Sequence, residues 1–417
     1  MIKQARIFRF VFLGSALLVI GCSGEVRFEP DRLAVVDGQV APAHAEDIHQ
    51  VLTELFGTPD EPRVPAELAG LLNLERLNRA AGPVRSHQAG VNDGLYRRHC
   101  ARCHGVTGNG WGPMAVYQQP YPRDFRRGVF KFTSTPRGVP PTDNDLHASL
   151  VRGSPGTAMP SFRLLNEEEL AALVAYTKYL SIRGQLEQRL ISFAADELDY
   201  DPLTGEQGAG LSLASADDRA LIVDDMLGQV AARWRSAQQQ VITPATPPAG
   251  FPTALVDAGR ALFGDRQRLG CGQCHPGESN NLANKSSGSA PIKDYDIWNW
   301  RHFEFARKTA SLSGRLSRRH PSAAPNEFAR QQSDLLRKRL FEHREVVTQM
   351  PPPVVAKARR LGVQPLRGGA NPVDLFRHLQ QGIDGTPMPA IGATLSDEEI
   401  WSLVAYVLAQ TNREAFE

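Results

Sequence analysis

The chain has 417 residues, 41% of them hydrophobic and 22% charged, an ordinary globular composition with material for two or three domains. This excludes disorder of the whole chain, and a formal charge of +2 gives no footing for nucleic-acid binding. The five cysteines are Cys22, Cys100, Cys103, Cys271 and Cys274.

Residues 1–21 place Lys3, Arg6 and Arg9 ahead of an apolar run from Phe10 to Ile20, the charged and apolar regions of a bacterial secretion signal. The run is short for a membrane span. Val19-Ile20-Gly21-Cys22 resembles a bacterial lipobox, which implies cleavage before Cys22 and lipidation of that cysteine. An uncleaved anchor helix with an incidental cysteine is the alternative. Loss of Lys3, Arg6 and Arg9 takes the formal charge from +2 to −1. The body is expected on the periplasmic side of a bacterial membrane, held by a lipid anchor, and Ser23 resembles the sorting preference for the outer membrane.

Residues 22–87 contain Pro30, Pro42, Pro59, Pro62 and Pro65 and read as a tether with short local helices, one of them from Ala45 to Phe56. Residues 88–184 have the makeup of a small helical domain. Residues 185–250 read as a connector: Leu221, Ile222, Met226, Leu227, Val230 and Trp234 recur at helical spacing, Asp217 and Asp218 suit a helix start, and the breaker run from Thr243 to Gly250 forms a hinge. Residues 251–417 hold a second unit.

Each unit contains the same pentapeptide spacing, Cys100-Ala101-Arg102-Cys103-His104 and Cys271-Gly272-Gln273-Cys274-His275. C-x-x-C-H is the attachment signature of covalently bound c-type haem: two cysteines form thioether links, and the following histidine is thereby placed to ligate one face of the iron. His104 and His275 are the expected iron ligands, and Cys100, Cys103, Cys271 and Cys274 the attachment points.

The units are a diverged internal repeat. Asp145-Leu146, Leu150, Gly153 and Gly156-Thr157-Ala158-Met159-Pro160 align with Asp374-Leu375, Leu379, Gly382 and Gly385-Thr386-Pro387-Met388-Pro389 at a constant offset of 229. A thioether on a loop before the closing helix suits the second face of each iron and raises its potential. Met159 and Met388 are the candidates. The rivals are Met114, ten residues beyond His104, and Met350, before Pro351-Pro352-Pro353. Closing helices are expected over Glu167 to Leu180 and Asp397 to Gln410, capped by Asn166 and Ser396, the latter in a capping box with Glu399.

Each unit resembles a class I cytochrome c domain, and the whole resembles a dihaem cytochrome c lipoprotein. The resemblance implies an all-α fold, two covalently bound haem c groups and one-electron transfer rather than an enzyme with a substrate pocket. The stretch from Pro122 to Phe132 is similar to membrane-attached cytochromes c of bacterial respiratory chains. Redox partners of that kind, a quinol-oxidising complex and a terminal oxidase or reductase, are what the resemblance implies. The alternatives are a peroxidase-like dihaem enzyme with one reactive haem and an electron-transfer subunit of a larger oxidase or reductase.

His104 to Met159 spans 55 residues and His275 to Met388 spans 113. The second unit therefore carries an insertion at about 278–366, with Trp298, Trp300, the basic cluster Arg315, Arg318 and Arg319, and a helical pattern from Phe328 to Val347. A helical excursion beside the second haem is expected. His302, His320, His343 and His378 are read as ordinary histidines.

Overall fold

A computed structural model describes residues 26–28, 40–84, 94–201, 204–275, 292–293, 355–356 and 358–411. The lipobox cysteine Cys22, Met350 and most of the insertion lie outside the described residues. The architecture is all-α, as expected. In chain order the helices are α1 Pro42–Phe56, α2 Leu74–Ala80, α3 Leu95–His99, α4 Ala101–His104, α5 Asp143–Arg152 and α6 Glu167–Glu197. After them come α7 Ala216–Arg219, α8 Gly228–Ala237, α9 Thr253–Gly264, α10 Cys271–Cys274, α11 Pro372–Gln381 and α12 Asp397–Thr411. Among the described residues the only strand pairing is a two-residue antiparallel ladder, Ile292↔Ala356 and Lys293↔Val355, and no helix is long and apolar enough to cross a membrane.

The spine of the first unit is α6. Asn166 accepts from the Glu169 amide and Glu169 accepts from the Asn166 amide, closing a capping box that satisfies two of the helix's orphan donors. The helix continues well past Leu180 because Ile182, Leu186, Leu190 and Ala194 keep an apolar stripe, all of them buried.

That stripe is covered by two segments expected to lie outside the unit. Residues of the supposed tether pack into the core: Ile48, Val51, Leu52 and Phe56 of α1, then Leu68 and Leu77, are all buried. The Tyr179 hydroxyl donates to the Phe56 carbonyl at 2.6 Å and the Tyr176 hydroxyl to the Pro59 carbonyl at 3.0 Å. The prolines end helices without preventing the turns between them from packing. The connector helix is equally integral. From α7 the chain winds through Ala220–Leu227 in wider turns, with the Gly228 amide donating to the Val223 carbonyl, and enters α8, whose Trp234 is fully buried and donates to Gln185 at 2.8 Å.

The second unit has its own core, in which Val256 and Phe263 of α9 meet Ile400, Leu403, Val404 and Val407 of α12. Gly259 permits this approach, since a Cβ there would lie 1.9 Å from the Ser402 carbonyl oxygen. Ser396 and Glu399 form the expected capping box.

The start of the hinge is tied to both units: the Ile242 amide donates to the Ser134 carbonyl and the Ala245 amide to Asp397. The units also touch directly. The Gln381 amide donates to the Thr133 carbonyl at 2.7 Å, and Arg137 pairs with Asp384 at 3.2 Å. His378 is buried beside Phe132, with ring centroids 5.5 Å apart.

Replacing Trp234 by Ala should lower unfolding stability by about 3–5 kcal/mol, measured by denaturant titration; a loss below about 1 kcal/mol would mean that α8 is peripheral to the core. His378 carries a pH prediction. Burial, with the nearby Arg152 charge second, pushes its pKa down to about 4 from 6.5. The unfolded chain therefore binds the proton first, and the stability from the neutral ring, up to about 3 kcal/mol, is present above pH 6.5 and lost as pH falls toward 4. His378→Gln should flatten that acid limb of a stability-versus-pH curve.

Candidate haem sites

In the first site, α3 presents Leu95 and Tyr96 to the core, and the Tyr96 hydroxyl donates to the Gly105 carbonyl at 2.9 Å. This ties the helix to the residue that follows the motif. The motif then forms one helical turn, with the His104 amide donating to the Cys100 carbonyl at 2.8 Å. The i, i+3 spacing puts both thiols on one face of that turn. Burial pushes the Cys100 thiol up to about 12, with Cys103 adding to the shift.

His104 stacks on Phe125, with ring centroids 4.4 Å apart and planes 16° from parallel. Its Nδ1 lies 2.9 Å from the Arg123 carbonyl oxygen. A carbonyl only accepts, so Nδ1 carries the proton and Nε2 keeps its lone pair. Burial is the main cause of a pKa lowered to about 4, so the imidazole is neutral and able to ligate a metal. The 123–127 turn is held by Asp124, which accepts from the Arg126 amide and both sides of its guanidinium at 2.9–3.0 Å.

His104 and Met159 line one cleft of about 1360 Å³ counted to its open mouth, together with Cys100, Cys103, Phe130 and Leu150. Its predominantly apolar wall suits a flat hydrophobic macrocycle. Met114 is displaced: its amide donates to the Arg102 carbonyl, which keeps it on the motif's own turn, and its side chain is 39% exposed. Met226 sits in the core with the connector helix.

The second unit repeats the chemistry. His275 Nδ1 donates to the Arg359 carbonyl at 2.8 Å, across 84 residues of chain, and burial lowers its pKa. Phe263 of α9 lies beside it, centroids 6.4 Å apart. Burial also raises the Cys271 pKa.

The two methionine loops are built alike. Thr157 donates through Oγ1 to the Ser154 carbonyl at 2.7 Å and accepts from the Met159 amide at 3.2 Å. Thr386 does the same with Ile383 and Met388 at 2.7 and 3.2 Å. Gly153 and Gly382, both with positive φ, enter these loops where a Cβ would strike the following backbone at 2.5–2.6 Å.

Sequence reasoning missed Arg123 and Arg359 as the residues that orient the two histidines. The first sits in the stretch from Pro122 to Phe132 with nothing to mark its carbonyl. The second lies within the 278–366 insertion, 84 residues from His275, so no spacing points to it.

Residues 92–176 and 356–407 match the family model described as cytochrome C oxidase, cbb3-type, subunit III. The first segment contains the Cys100 to His104 motif and Met159; the second contains Met388 and begins after the Cys271 to His275 motif. No curated protein matches the chain. Among solved structures, a chain of the Kuenenia stuttgartiensis reducing HAO-like protein complex is similar at 20% identity and a TM-score of 0.41, over 76% of this chain and 94% of that one. The matched segments support a c-type cytochrome, a kind of domain that implies covalently bound haem c and suggests electron transfer.

Proposed function

We propose that the chain is a dihaem carrier of single electrons, working between redox proteins outside the cytoplasm and tethered to a membrane by a lipid on Cys22. What carries this reading is the duplicated constellation: in both units a neutral imidazole is oriented by an arginine carbonyl, and a methionine stands on an identically bonded loop. One such arrangement would be consistent with a single redox site, whereas two support a pair.

Covalently bound haem supplies a one-electron iron couple. The protein supplies the rest. His104 and His275 would hold the iron through Nε2, with the Nδ1 bond fixing ring orientation and raising ligand basicity. Met159 and Met388 would hold it through a soft thioether, which favours the reduced state. Phe125, Phe130, Leu146 and Leu150 keep water from the first site. The match to an oxidase subunit favours a second reading, a permanent electron-entry subunit of a larger complex. Purification from native membranes separates the two by whether the protein comes away alone.

In protein matured with haem c, two haems per chain and a full near-infrared sulfur-to-iron charge-transfer band are expected. Met159→Ala and Met388→Ala should each remove about half of that band and lower one potential, with Met114→Ala silent; an unchanged band in either would withdraw that ligand. Cys22→Ser should move the protein from the membrane to the soluble periplasmic fraction, and retention in the membrane would reject the lipid anchor.

A further inference from the structure

The contacts between the two units are reciprocal. Arg123 and Arg359 are equivalent, since each gives its carbonyl to its own unit's histidine, and they define an offset of 236 for the segments around them. A Cβ on Gly385, in the second methionine loop, would lie 3.1 Å from Arg123 Nη1 and 3.5 Å from Val129. A Cβ on Gly156, in the first, would lie 3.3 Å from Arg359 Nη2 and 3.2 Å from Pro365. Val129 and Pro365 are again 236 apart.

Two more contacts obey the same rule. Gln381 bonds Thr133, while its repeat partner Arg152 lies 3.2 Å from a Cβ built on Gly369, the partner of Thr133. Phe132 meets Gly368, its own counterpart, where a Cβ would come within 2.8 Å of the ring. Residue i touching j while the counterpart of j touches the counterpart of i is the signature of an isologous, two-fold interface, here formed within one chain with the Phe132–Gly368 contact near its axis.

Each arginine thus serves both units. Its carbonyl holds its own unit's histidine, and its guanidinium lies against the other unit's methionine loop, where Arg359 donates to the Pro155 carbonyl at 3.3 Å. Resting on the dihaem reading above, we propose that Arg123 and Arg359 are reciprocal positioning residues that set the redox potential of the opposite unit, so that neither site is tuned by its own unit alone. A fixed cation beside a redox centre disfavours the oxidised, more positive state.

The test is a redox titration of the full-length dihaem protein followed by NMR, in which each haem's methyl resonances report its own oxidation state. Arg359→Gln should lower the potential of the first unit's haem, a roughly two- to tenfold rise in its oxidised-to-reduced ratio at the wild-type midpoint, and shift the second unit's haem less. Arg123→Gln should give the mirror image, and the Arg→Lys variants should restore most of each effect. Gln381→Ala, which loosens the interface without changing charge, should leave both potentials in place. Shifts confined to the arginine's own unit, no shift, or equal shifts in Gln381→Ala would overturn the proposal. Fewer than two covalent haems per chain would instead reject the dihaem reading.

Discussion

A histidine that is to ligate a metal through Nε2 must have its Nδ1 proton bound elsewhere, or the ring is free to turn and to exchange tautomers. In this protein the partner is a backbone carbonyl, that of Arg123 or Arg359, and a backbone acceptor is only as rigid as the turn that bears it. The first turn is made rigid by the doubly held Asp124–Arg126 pair and by its seat on α6. The Arg126 backbone crosses that helix at Gly184, where a Cβ would sit 2.3 Å from the Arg126 carbonyl oxygen. The orientation of a single imidazole thus fixes where the long helix may pass and which residue it must carry there.

The length of α6 follows from what it supports. Thr177 lines the haem cleft, Tyr176 and Tyr179 hold the end of the α1 segment, and the helix beyond them packs in the same core as α8, so the haem unit and its flanking helices share one core. Charge is placed sparingly inside. Lys178 is buried but donates to Asp143 at 2.7 Å and the Leu71 carbonyl at 3.2 Å. Arg183 pairs with Glu187 at 3.2 Å and lies 4.0 Å over the Phe28 ring. The buried Arg183–Glu187 pair contributes little net stability, because desolvation offsets its attraction, yet removal of one partner strands the other. Lys178 ties the Leu71 segment and α5 to the spine, and Arg183 ties the Phe28 segment to it.

The haem motifs, the methionine loops and the caps at Asn166 and Ser396 were legible because each is a local pattern with a local cause: thioether spacing, a repeated Gly-Thr turn, orphan amides at a helix start. What could not be read was packing between segments distant in sequence. Pro59, Pro62 and Pro65 break helices, and breaking a helix was mistaken for leaving the core. The closing helix was expected to end at Leu180, and nothing local says that its continuation from Ile182 to Ala194 carries α8. Arg359 was hidden for a related reason: it meets His275 across 84 residues of chain, with no local spacing to connect them.

The two-fold arrangement of the units is not perfect: besides the insertion after His275, one departure bears directly on a methionine loop. From Thr133 to Asp145 the first unit has thirteen residues, where the second has six from Gly369 to Asp374. The extra loop carries Arg137, which pairs with Asp384 and donates to the carbonyls of Thr386 and Met388 at 3.4 Å; the Gly138 amide also donates to Asp384, at 2.8 Å. The second methionine loop is therefore gripped by a charge-compensated clasp in addition to Arg123, while the first is approached by Arg359. On the proposed dihaem reading, two units with identical surroundings would have equal potentials and no preferred direction for an electron. The surroundings of the two methionine loops are unequal, and beside the second that inequality is built by seven residues of loop, with the Gly-Thr turns left alike.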